Sequence, residues 1–129
     1  MNNIKEASIF TKPYTASRIP HSWYFAIVMD NNKPDNVAIT ILAEVMHLHA
    51  TDGSYEFHLG YKYFQDNFNY SRYQIRNALV RLEKIGLVKR IYRTVLIHNR
   101  KFNNEMFLVL NQIKLNELQI RMKNEQQTK

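Results

Sequence analysis

The sequence contains no cysteine. That excludes disulfides, thiolate nucleophiles and every sulfur-based zinc site, and it is consistent with a reducing compartment such as the cytoplasm. Glycine and proline are scarce, three of each in 129 residues, which leaves no glycine-rich phosphate cradle and no low-complexity linker. Long apolar runs are missing as well. The longest, Trp23 to Met29, has seven residues, whereas a membrane-spanning helix needs about 20. Met1-Asn2-Asn3-Ile4-Lys5-Glu6 carries neither the basic nor the apolar stretch of a secretion signal. Acids are few, eleven in all, and are dispersed singly; a general acid–base pair or a carboxylate cluster for a divalent ion has no support. His47 and His49 are two apart, so on one helix they point in different directions and cannot share a metal. His58 and His98 stand alone and read as packed or surface side chains. The expectation is one non-membrane domain without metal, cofactor or catalysis.

Positive charge is abundant. Eighteen Lys and Arg against eleven Asp and Glu give +7. The excess lies in one place. Residues 71–101 hold nine basic side chains and a single acid, Glu83, a local charge of +8, while the rest of the chain stands at −1. Charge clustered in this way is the electrostatic footprint of a polyanion partner.

Hydrophobic spacing outlines the elements. Residues 1–20 have no clear period and read as an arm. His21 to Met29 is short and apolar, and fits either a helix or a strand. Asp30 to Pro34 is a turn. Asp35 or Asn36 can cap a helix whose apolar positions Val37, Ile41, Leu42, Val45 and Met46 share one face, ending near Ala50. Tyr55 to Leu59 reads as a small strand and Gly60 to Phe68 as a short helix. Ser71 is an N-cap for a second helix, 72–85, whose stripe is Ile75, Ala78, Leu79, Leu82 and Ile85, and Gly86 stands where a left-handed residue closes a helix. Leu87 to His98 alternates around β-branched residues and Glu105 to Asn111 is again apolar; the polar stretch Asn99 to Asn104 reads as the loop of a hairpin between them. A final helix is expected over 113–123, with a polar tail behind it.

The order helix, small strand, helix, turn, helix, hairpin, together with the segment Phe64-Gln65-Asp66-Asn67-Phe68-Asn69-Tyr70-Ser71-Arg72-Tyr73-Gln74-Ile75-Arg76-Asn77-Ala78-Leu79, resembles the winged helix-turn-helix of DNA-binding proteins. Leu82-Glu83-Lys84-Ile85-Gly86-Leu87-Val88-Lys89-Arg90 is similar to the junction between recognition helix and wing. Lys33 to Ala43 is similar to the opening helix of modules in plasmid replication initiators and mobile-element regulators. The resemblance spans 34–111. It implies an α+β fold, a three-helix core plus a β-hairpin wing, flanked by an N-terminal extension (1–33) and a C-terminal helix and tail (112–129). Asn69 occupies the turn position at which such motifs favour positive φ, a conformation Asn tolerates.

The functional expectation is a sequence-specific double-stranded DNA-binding transcriptional regulator in the cytoplasm, associated with the nucleoid. Recognition helix 71–85 enters the major groove and wing 88–109 rides on flanking backbone. Ser71, Arg72, Tyr73, Gln74, Arg76 and Asn77 stand where base edges and the nearest phosphate are met; Arg and Gln or Asn match guanine and adenine edges. Arg81 and Lys84 lie one to two turns on and suit the backbone. Arg90, Arg93, Arg100 and Lys101 would serve the wing. One helix reading one half-site discriminates weakly, so a homodimer is expected, with Leu115, Leu118, Met122 and the segment Trp23 to Met29 as candidate contacts. Room for one module favours a small repressor. The alternatives are an accessory replication-initiation factor or a winged-helix module for protein contacts. No residue points to a particular effector.

Overall fold

The computed structural model describes residues 19–117. The fold is α+β, and the chain divides after Ser54 into two compact units. Among the described residues no helix is long and apolar enough to cross a membrane.

In the first unit the ambiguous segment 21–29 contains a single helical turn, α1 (Trp23–Ala26). It leads into a bridge between Val28 and Pro34 across the expected turn. Asp35 caps helix α2 (Asn36–Asp52), its side chain accepting from the Ala38 N–H at 3.1 Å. That carboxylate is almost fully buried, in keeping with a group whose acceptor capacity meets the helix's unpaired N–H donors. The helix runs two residues beyond Ala50 and closes at Gly53, whose φ of 77° lets its N–H reach the His49 carbonyl at 2.7 Å. Trp23, Ile27, Ala38, Ile39, Ile41, Leu42 and Val45 are buried.

The second unit opens with strand β1 (Glu56–His58), followed by α3 (Tyr61–Phe68), α4 (Arg72–Lys84), β2 (Val88–Ile97) and β3 (Arg100–Leu110). Residues 112–117 begin a further helix. The three strands form one antiparallel sheet in the order β1-β3-β2. Asn69 ends α3 at φ 58°, so the chain reverses in two residues before Ser71 starts α4. Ser71 and Gln74 make a reciprocal capping box: the Gln74 N–H donates to Ser71 Oγ at 3.1 Å and the Ser71 N–H to Gln74 Oε1 at 2.9 Å. The stripe Ile75, Ala78, Leu79 and Leu82 is fully buried and packs against α3 and β2, and Phe57, Phe64, Leu87, Val88, Met106, Leu108 and Leu110 are buried in the same unit. Gly86, at φ 81°, ends the helix, and the Leu87 N–H returns to the Leu82 carbonyl at 3.0 Å.

The hairpin differs from the sequence expectation. Asn99 to Asn104 is not a loop. The turn is only His98-Asn99, with φ of 50° and 63°, and Arg100 already pairs with Ile97. Two successive positive φ values are what a two-residue type I′ turn requires. Asn104 (φ 58°) sits in a bulge, so that three steps on β3 span two on β2 between the pairs Arg93–Glu105 and Val95–Phe102. The hairpin is therefore longer and more regular than its polar composition suggests.

Candidate nucleic-acid interface

α4 buries one face and presents the other to solvent. Arg72, Tyr73, Gln74, Arg76 and Lys84 are exposed; Asn77 and Arg81 are half-buried. Tyr73 is 72% exposed, far more than packing alone would leave an aromatic ring. Gln74 is less available than its position suggests, because its side-chain oxygen is occupied by the cap. Arg72 lies over the Tyr61 ring, its guanidinium carbon 4.4 Å from the centroid, a cation–π contact that aims the fork.

A cleft of about 510 Å³ opens beside this helix. Arg72, Arg76 and Arg90 line it with Tyr61, Tyr92, His58, Asn104 and Glu105. The structure thus brings together three of the site residues named from sequence. It also adds two tyrosines. Tyr61 is half-buried, with its hydroxyl accepting from Arg90 Nη1 at 3.2 Å. Burial, followed by a hydrogen bond with Tyr61, raises the Tyr92 phenol above its ordinary value, so that ring is neutral at physiological pH.

Two of the expected wing cations are engaged by carboxylates. Arg90 grips Glu83 through Nη2 at 2.8 Å and Nε at 3.1 Å, and its own N–H donates to the second carboxylate oxygen at 2.9 Å. Partial burial works against ionising Glu83, but the hydrogen bonds from Arg90 outweigh it and hold the carboxyl below its ordinary range. The same bonds raise Arg90. Arg93 makes a bidentate pair with Glu56 on β1 and lies 4.9 Å from the centre of the Phe107 ring. Its hydrogen bond lowers the Glu56 carboxyl. His58 stacks on Phe107 with centroids 4.5 Å apart and meets Glu105 at 3.0 Å. Arg90 and Arg93 are thus tied into the sheet and the end of α4. Arg100 and Lys101 are exposed at the hairpin end, with Arg100 5.7 Å from the Phe102 ring centre.

Both carboxylates sit below their unfolded value near 4.5. Their contribution to stability is therefore complete above that pH and lost as acid protonates the folded state. The melting temperature should hold steady from pH 7 to about pH 5 and fall below it. A flat profile down to pH 3 in circular dichroism melts would show that these pairs contribute nothing.

Neither family models, curated proteins nor solved structures give a match to this chain. The interface therefore stands on its own geometry. Of the candidate dimer contacts, Leu115 is only 5% exposed, and Trp23 and Ile27 are buried; none of the three is offered to a second copy. Leu118 and Met122 lie outside the described residues. Phe25 and Ile113, at 84% and 72%, are the exposed apolar side chains near those positions. Glu83, Glu56 and Tyr61 are the functional partners that sequence reasoning missed. Glu83 had one visible signal: it is the sole acid in the basic segment.

Proposed function

We propose that this chain is a sequence-specific double-stranded DNA-binding transcriptional regulator built on a winged helix-turn-helix, with α4 in the major groove and the β2–β3 wing on flanking backbone. The observation that carries it is the solvent face of α4: three exposed cations, Arg72, Arg76 and Lys84, and an exposed Tyr73, on a helix whose one acid is turned into a bond with Arg90. A helix that were merely solvated would mix signs on that face. The tight Asn69 turn before α4 and the antiparallel hairpin directly after it support the same reading. It acts without a cofactor, and as a homodimer whose half-sites lie about 34–36 Å apart.

Selection of bound fragments from random duplex DNA tests it, with recovery of an inverted repeat as the expected result. On the recovered site Arg76→Ala should cost about 1–3 kcal/mol and flatten base preference, whereas Lys101→Ala should weaken all duplexes alike. Failure to enrich any duplex, or an Arg76→Ala variant with unchanged affinity and preference, overturns the assignment of α4.

A further inference from the structure

The outer half of the hairpin stands clear of the core. From Arg93 to Asn104 every residue is exposed except the cross-strand partners Val95 and Phe102. Yet this half carries two large aliphatic side chains at its end: Leu96 is 72% exposed and Ile97 43%. Leu96 is paired with Lys101 and Ile97 with Arg100, and residues 94–104 contain no acid. The end is stiff. Its two-residue turn is fixed by the positive φ of His98 and Asn99, and Thr94 Oγ1 bonds to Asn103 Oδ1 at 3.1 Å across the strands.

The direction of Leu96 follows from strand alternation. The extra residue of the bulge lies on β3, so the alternation of β2 runs on unbroken, and Leu96 falls on the same face as Val88, Arg90 and Tyr92. Arg90 on that face reaches Glu83 of α4. Leu96 therefore points to the side of the sheet on which the exposed face of α4 lies. An aliphatic side chain held in water, with Lys101 opposite it on the same face and Arg100 one step away on the other, is matched by a partner that is apolar inside and anionic outside. Two side chains are too few for a stable protein interface, which needs about 800 Å² per partner. A base-pair stack between two phosphate rows fits.

We propose that the wing end is a minor-groove wedge: Arg100 and Lys101 seat on the phosphates and Leu96 enters between base pairs and kinks the duplex. This rests on the duplex-binding reading above. Apolar wedges of this kind bend DNA by about 20–90° and act most easily at pyrimidine–purine steps.

The test uses the full chain and a duplex of about 40 base pairs with pyrimidine–purine steps, carrying end dyes for energy transfer and 2-aminopurine at one such step. The wild-type chain should raise both the energy transfer and the 2-aminopurine signal. Leu96→Ala should abolish both and weaken binding at least about fivefold, slightly more than one buried CH2 group contributes; Lys101→Gln should weaken binding but keep the bend. Leu96 is exposed, so an unchanged circular dichroism melt is expected for its variant. If wild type binds the duplex without bending it, or Leu96→Ala bends it equally, the wedge is overturned while the binding reading stands. If wild type binds no duplex, the binding reading itself fails.

Discussion

Raising salt from 50 to 200 mM should weaken duplex binding roughly 250- to 1,000-fold, a slope of log K against log[salt] of about −4 to −5. The figure comes from which cations can meet phosphates. Arg72, Arg76, Lys84, Arg100 and Lys101 are exposed, and each phosphate neutralised contributes about −0.9 to the slope. Adding Arg90 and Arg93 to those five would give a slope of about −6. The lower value follows because Arg90 and Arg93 are already held by Glu83 and Glu56 and release no counterion when DNA arrives. Fluorescence anisotropy at several salt concentrations measures it directly. A slope near −1 would remove the polyanion reading altogether. A slope of about −6 would mean that the two arginines leave their carboxylates on binding.

That contrast marks what the sequence could and could not convey. α4 was legible because its determinants are local: a Ser N-cap, apolar spacing at Ile75, Ala78, Leu79 and Leu82, and a closing Gly86 lie within sixteen residues. The Asn69 turn was legible for the same reason. The wing was half legible. Its apolar parts announced strands, but Asn99 to Asn104 is polar, and polar residues at a solvent-facing edge carry no period; only the cross-strand register and the positive φ of His98, Asn99 and Asn104 reveal the strand. The ion pairs were not legible at all. Glu56 and Arg93 are 37 residues apart, and nothing in either neighbourhood signals the other. Even Glu83 and Arg90 straddle a helix end and a strand start, where no single period applies. The polycationic segment is therefore visible from sequence, while the subset of its charges able to reach a partner is set by tertiary pairing.

The Glu83–Arg90 pair permits a second prediction. The Glu83 side chain is 28% exposed and that of Arg90 18%, so both ions are largely withdrawn from water. One carboxylate receives three N–H groups from Arg90, and the guanidinium also binds the Tyr61 hydroxyl. This cluster ties the last turn of α4 to the first residues of β2 and to α3. Arg90→Met keeps the aliphatic stem but leaves the Glu83 carboxylate with a single backbone donor. Hydrogen bonds to charged groups contribute about 1.5–3 kcal/mol, so urea unfolding should show a loss of about 2 kcal/mol. Glu83→Gln retains an acceptor and should cost less, and the double variant should cost less than the sum of the two singles, since each removes the same interaction. Duplex affinity should fall with Arg90→Met because the wing is no longer held against α4, yet the salt slope should not change, since Arg90 touches no phosphate. The opposite pattern, full stability with the slope reduced by about one, would make Arg90 a direct DNA contact and would break the division drawn here between charges that build the interface and charges that face the duplex.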